Sequence, residues 1–255
     1  MNVFLIHLKM KAPLSIFVMI LVSLPVLAQQ NNSIAILESK TPFYEAIAND
    51  IWNYAEMGYQ EQKSSTRLKR VLEDENFKIT SGVAGMPTAF IAEYGNSGPV
   101  IAFLGEYDAL PGLSQLAISS KKSAGKLAGH ACGHHLFGTA SVAAAIRVKN
   151  WLIENNVNGT VRFYGCPAEE GGSGKVYLSR AGLFDDVDIA LHWHPSSVNA
   201  ANPGAALANK SAKFRFKGVS AHAAGSPEKG RSALDAVESM NYMVNMMREH
   251  IPQES

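Results

Sequence analysis

Cysteine is scarce in this sequence: Cys132 and Cys166 are the only two among 255 residues. Two thiols cannot build a disulfide framework, so packing must hold the fold and both thiols remain free for chemistry or burial. An excess of charge of either sign is missing as well. The 23 lysines and arginines against 22 acidic residues leave a formal charge of +1, which supplies no field to attract nucleic acid or an anionic bilayer. Neither is expected as a partner. Charged residues make up only 18% of the chain and hydrophobic ones 47%, a balance that excludes a disordered or fibrous protein. There are no internal repeats and no low-complexity runs.

The one long apolar run lies at the start. Residues 12–28 carry no charge, follow Lys9 and Lys11, and give way to Gln29-Gln30-Asn31-Asn32. Pro13 and Pro25 break the run, and Val26-Leu27-Ala28 offers a small residue to signal peptidase. Residues 1–28 are therefore read as a signal peptide cleaved after Ala28, with a periplasmic or secreted product free of the membrane. An uncleaved anchor would have to cross a hydrocarbon core of about 30 Å, which so short a run barely reaches. Met10 is an alternative start, since little in the preceding residues is needed.

After the leader, residues 42–57 carry apolar positions at helical spacing, with Thr41 as N-cap and Gly58 as stop. Residues 64–76 continue as a charged amphipathic helix. The period then changes to short strands at 88–94 and 100–104, around a turn at Gly95-Asn96-Ser97-Gly98-Pro99. The alanine-rich stretch 136–155 predicts a helix. Further strands at 160–164 and 188–192 flank a helix at 174–180. Strands alternating with helices predict a layered α/β sheet with parallel members. Residues 212–217 instead alternate polar and apolar, which predicts a half-exposed antiparallel strand and a change of domain. The expected division is a catalytic domain over 29–209 and the start of an α+β lid over 210–255. A strand and the helix at 232–250 do not close a domain, so the second is expected to be incomplete.

Ligand sites in α/β sheets gather at the carboxyl ends of strands. Unusual residues fall at such ends here: Gly105-Glu106-Tyr107-Asp108, then Pro167-Ala168-Glu169-Glu170-Gly171-Gly172, then His192-Trp193-His194-Pro195. Gly129-His130-Ala131-Cys132-Gly133-His134-His135 precedes the long helix. The glycine between Cys132 and His134 lets both side chains turn toward one ion; in isolation the pair reads as a buried cysteine beside a satisfied histidine. Glu169 and Glu170 repel unless a cation neutralises one of them, or unless the loop is solvated. His192 continues an apolar strand, where a core histidine is the alternative. Together, thiolate, imidazoles and carboxylate from separate strand ends can hold two divalent ions. One glutamate then ligates while its neighbour takes a proton.

These stretches resemble the M20 metallopeptidases, in particular their amidohydrolase branch. The likeness includes Ala109-Leu110-Pro111 after Asp108, and Gly218-Val219-Ser220-Ala221-His222-Ala223-Ala224. It implies a zinc-exopeptidase-like catalytic domain with a lid that forms a homodimer. It implies Cys132, His134, Glu170 and His192 as ligands of two divalent ions, zinc or manganese. Glu169 is then the general base, Asp108 an acid orienting a ligand, and His222 a lid residue that reaches a substrate carboxylate or the oxyanion. The implied substrate is a small amide, an N-acyl or N-aroyl amino acid of the aminobenzoyl-glutamate kind, or a short peptide. His135 departs from the pattern by standing where relatives have aspartate. Cys166 is a second thiol, read as inert and buried rather than paired with Cys132. The resemblance also implies a histidine ligand beyond Ser255, so the 255 residues alone are expected to be inactive.

Two rival readings remain at this point. Cys132 with His134 as its base would make a thiol hydrolase. A binding or dimerisation fragment, with structural metal or none, would need no chemistry at all.

Overall fold

A computed structural model describes residues 32–201 and 209–252. The leader expected at 1–28 lies outside the described residues. Two compact units divide the chain, Met1–Ser197 and Val198–Ser255, a division earlier in the chain than the expected residue 209.

Residues 32–39 are helical, and after a turn at Lys40 come helices α1 (Thr41–Tyr54) and α2 (Gln62–Asp74). Strands β1 (Lys78–Ser81), β2 (Phe90–Tyr94) and β3 (Val100–Gly105) follow. A two-stranded ribbon joins β4 (Leu110–Pro111) to β5 (Ala128–Gly129) ahead of the long helix α3 (His134–Glu154). Strand β6 (Thr160–Gly165), the one-turn helix α4 (Glu169–Gly172), helix α5 (Gly174–Arg180) and strand β7 (Ile189–Leu191) complete the unit.

The main sheet has the order β1-β2-β6-β3-β7. Strands β6, β3 and β7 run parallel, whereas β1, β2 and β6 pair antiparallel. The expected α/β sheet with parallel members is present. Helix α3 makes the crossover from β3 to its parallel neighbour β6, the connection that parallel pairing requires.

Both faces of the sheet are covered, which is why its central strands are nearly all apolar. On one face Ile47 and Ile51 of α1, Leu68 and Leu72 of α2, and Val142 and Ile146 of α3 pack on Phe90, Phe103, Val161 and Phe163. On the other, Leu178 of α5 and Met86 pack on Ala102, Tyr164 and Cys166.

Helix α1 starts at Thr41 with Lys40 as its cap. It ends at Tyr54, where Ala55 takes a left-handed φ of 46° and closes the helix ahead of Gly58. The polar strand β1 is unannounced by hydropathy because its burial is slight; its register against β2 forms it. The strand expected at 212–217 does not form: residues 209–218 have no regular structure, and Phe214 is 68% exposed. Alternation marks a face to be buried but supplies no hydrogen-bonding partner, and a lone strand is unstable. The pairing nearby is a single bridge between Val219 and Arg231. Helix α6 (Ala233–Met247) does form in this second unit, with Ser232 accepting from the Asp235 backbone N–H at 3.1 Å as its N-cap. Among the described residues, no helix is long and apolar enough to cross a membrane.

Phe163 is fully buried between the helical layer and Phe90. Phe163→Ala should lower the unfolding free energy by about 3–5 kcal/mol in chemical denaturation. A change within about 0.5 kcal/mol, as for a surface substitution, would contradict this core.

Candidate metal centre

Parallel strands in register bring their carboxyl ends together. Gly105 stands beside Gly165 across β3 and β6, and Phe103 beside Leu191 across β3 and β7. The segments that follow carry Glu106 and Asp108, then Glu169 and Glu170, then His192 and His194. Helix α3 begins at the same edge with His134. Its cap, Gly133, has φ 87° and lies where a Cβ would come within 3.0 Å of Pro195. Only glycine takes that conformation freely in so tight a place.

His134 is fully buried between carboxylates. Its Nδ1 lies 2.8 Å from Asp108 Oδ1 and 3.1 Å from the Asp108 carbonyl oxygen. Both partners only accept, so Nδ1 carries a hydrogen and Nε2 is the nitrogen left for a second proton or a cation. That Nε2 is 3.0 Å from Glu106 Oε2, 3.9 Å from Glu170 Oε1 and 3.9 Å from Glu169 Oε2. Burial works against charge on this imidazole, but Asp108 and Glu106 outweigh it and push the pKa up to about 10. Glu106 shows the reciprocal effect: burial raises its pKa, yet His134, His192 and Lys175 together hold it well below the usual carboxylate range.

The acidic turn α4 is held from outside. Ala168 and Ser173, at its two ends, take left-handed φ of 55° and 56°, a strained choice for non-glycine residues. Buried Glu61 compensates by accepting from the Ala168 N–H at 2.8 Å and from Thr88 Oγ1 at 2.9 Å. Tyr59 donates to the Gly172 carbonyl at 2.6 Å, and the Glu170 N–H donates to Asp108 Oδ2 at 3.0 Å. Glu169 projects half-exposed from this turn, its pKa raised by burial and by Glu106.

Cys132 Sγ lies 3.4 Å from His194 Nε2. Two donor groups result, Cys132 with His134 and His194, and Glu106 with His134 and Glu169, each with ligand atoms within 4.8 Å of one another. Glu106 Oε2, His134 Nε2 and Glu170 Oε1 are buried and have no hydrogen-bond partner. Orphaned buried donors of this kind are costly unless a cation takes their lone pairs. The Cys132 thiol is pushed up to about 12 by burial and by Glu170 and the other glutamates, a field that a bound cation would counter. The donor set of sulfur, imidazole and carboxylate suits a divalent ion.

Residues 102–248 of the chain match the family described as Peptidase family M20/M25/M40. The chain belongs to this family. It is 49% identical over 221 residues to a p-aminobenzoyl-glutamate hydrolase subunit of Escherichia coli, covering 86% of this chain and 46% of that protein. It is 34% identical to the Xaa-Arg dipeptidase of Mus musculus, covering 81% of this chain and 47% of that one. Among solved structures it resembles the YXEP protein of Bacillus subtilis, described as a dinuclear metal binding peptidase from the M20 family. That likeness has a TM-score of 0.55 and 28% identity, covering 62% of this chain and 44% of the other. The chain thus spans about half the length of the relatives it matches.

Within this M20 chain the residues singled out from sequence distribute as follows. Cys132, His134, Asp108, Glu169 and Glu170 converge on one edge of the sheet. His192 approaches it through Glu106 Oε1, at 3.6 Å, with its ring 4.9 Å from Phe137. His222 belongs to the second unit, where its Nδ1 accepts from the N–H groups of Ala224 and Gly225 at 3.2 and 3.0 Å. Glu106, His194 and Lys175 were missed as individual site residues. A carboxylate directly after an apolar strand, and a second histidine two positions beyond the first, were signals already present in the quoted stretches. His135 turns away, packing on Trp52 and His130 at 4.8 and 5.3 Å between centroids. Cys166 is fully buried, unpaired, and donates to the Tyr164 carbonyl at 3.3 Å.

Cys132→Ala and His134→Ala should each lower the zinc or manganese bound per chain in elemental analysis after metal loading, while Cys166→Ala leaves it unchanged. Equal metal content in all three variants would remove the ion from this cluster.

Proposed function

We propose that this chain carries the metal-binding part of an M20 amidohydrolase that cleaves the amide bond of an N-acyl or N-aroyl amino acid, or of a short peptide. The single observation that carries the reading is the set of orphaned buried donors, Glu106 Oε2, His134 Nε2 and Glu170 Oε1, gathered around one position. The similarity to a p-aminobenzoyl-glutamate hydrolase favours an aromatic acyl group joined to glutamate.

Two divalent ions, zinc or manganese, fit the donors, with Cys132, His134, Glu170 and His192 as proposed ligands and Glu106 and His194 beside them. When bound, such ions polarise the amide carbonyl and acidify water. Asp108 keeps the hydrogen of His134 on Nδ1 and so aims Nε2 into the cluster. Glu169 is the proposed base: it is half-exposed, its pKa is raised by burial and by Glu106, and it shares a turn with Glu170 without sharing its burial. It can take a proton from water and return it to the leaving amine. His222 is proposed to donate to an anionic oxygen of the substrate or of the tetrahedral intermediate. A lid-mediated homodimer, a signal peptide over 1–28, and a periplasmic or secreted location complete the proposal. They rest on the residue patterns described above.

The thiol-hydrolase alternative is disfavoured by the same geometry. A nucleophilic cysteine needs a lowered pKa, whereas burial and the glutamates push Cys132 up to about 12. The imidazole it hydrogen-bonds is that of His194, at 3.4 Å, whereas that reading makes His134 the base.

The test joins these residues to the second half of the E. coli hydrolase sequence and follows release of p-aminobenzoic acid from p-aminobenzoyl-glutamate after metal loading. Turnover that a chelator abolishes is expected, with Glu169→Gln retaining metal but losing about 10²–10⁴-fold in kcat. Turnover by the metal-free protein, or full activity in Glu169→Gln, would overturn the proposal.

A further inference from the structure

Among the described residues, Lys175 is the one lysine or arginine that an ion pair brings to the carboxylates of the metal centre. It stands in the first turn of α5. Gly174 lets that turn sit against the preceding loop, since a Cβ there would come 2.0 Å from the Pro167 carbonyl oxygen. The close approach fixes where the Lys175 side chain begins. Its ammonium pairs with Glu106 Oε1, and Glu106 is only 2% exposed. The other carboxylate oxygen, Oε2, faces His134 Nε2 at 3.0 Å, outside hydrogen-bonding geometry. One oxygen of Glu106 is thus saturated by a fixed cation while the other is left open.

Charge points the same way. Glu106, Asp108, Glu169 and Glu170 with a Cys132 thiolate carry five negative charges, which two divalent ions and the Lys175 ammonium balance. Without the ammonium the loaded cluster is negative, and Glu106 can chelate through both oxygens. Both changes strengthen cation binding and weaken the pull of the ions on a substrate.

We infer that Lys175 is a positioning residue for this centre, restricting Glu106 to one open oxygen and bringing the loaded donor cluster to neutrality. The inference rests on the two-ion reading proposed above. It assigns Lys175 a role in tuning the metal rather than in holding the fold.

The test titrates the chain and its Lys175→Met, Lys175→Gln and Lys175→Arg variants with zinc against a chromophoric chelator, and with cobalt(II) followed by visible absorption. Lys175→Met should bind zinc about ten-fold more tightly, the scale set by removing a unit charge near a partly buried cation. Lys175→Arg, which keeps charge and donor, should stay within about three-fold of the parent. The cobalt spectrum of Lys175→Met should weaken, because a chelating carboxylate raises the coordination number. In the fused enzyme, kcat should fall with KM unchanged. Zinc binding by a folded Lys175→Met variant that equals or falls below the parent's overturns the inference. If circular dichroism shows that this variant is unfolded, Lys175→Gln decides: tighter binding supports the inference, and equal or weaker binding overturns it. A parent chain that binds no zinc overturns the two-ion reading itself, a result distinguishable from failure of the Lys175 comparison alone.

Discussion

The hydrogen bond from His134 Nδ1 to Asp108 organises the rest of the centre. An imidazole with no exposed surface, set among buried acids, has only two stable resolutions: it stays protonated, or it gives its second nitrogen to a cation. Without a metal the surrounding carboxylates hold it protonated, with a pKa of about 10. Asp108 occupies one nitrogen in either case, so every competing group must meet the other. Glu106, Glu169 and Glu170 all lie within 4 Å of it.

Such a cluster is expensive, and the scaffold compensates in identifiable places. The turn carrying both glutamates begins and ends in left-handed conformations, and it keeps them because Glu61, Tyr59 and Asp108 each bind its backbone. Glu61 is itself buried, with a pKa raised mainly by desolvation; the Thr88 hydroxyl and the Ala168 N–H satisfy it. The network extends from the β3 end to the segment before β2, because the Tyr107 hydroxyl donates to the Thr88 carbonyl at 2.6 Å. Metal-centre geometry and loop geometry are therefore one problem.

Much of the fold was legible because buried parallel strands and an alanine-rich helix leave strong hydropathy signals, as in 100–104 and 136–155. The polar strand β1 and the ribbon of β4 with β5 were not legible, since pairing rather than side-chain pattern makes them. The strand predicted at 212–217 failed for the converse reason: its alternation was clear, but the described part of the second unit gives it no partner. At the centre, residue chemistry pointed to Cys132, His134, Glu169 and Glu170 because thiols, imidazoles and adjacent acids are rare at strand ends. It did not point to Lys175, an ordinary helix residue in sequence that only three-dimensional packing places against Glu106. It singled out His192 and gave His194 no role, whereas the segment after β7 brings His192 to Glu106 and His194 to Cys132.

The most direct test of the centre is X-ray absorption at the metal edge of the zinc-loaded protein, since of its two donor groups the one built on Cys132 contains sulfur. The account predicts one sulfur scatterer at about 2.3 Å with nitrogen and oxygen at about 2.0–2.2 Å. A shell of nitrogen and oxygen alone, with no sulfur, would contradict it.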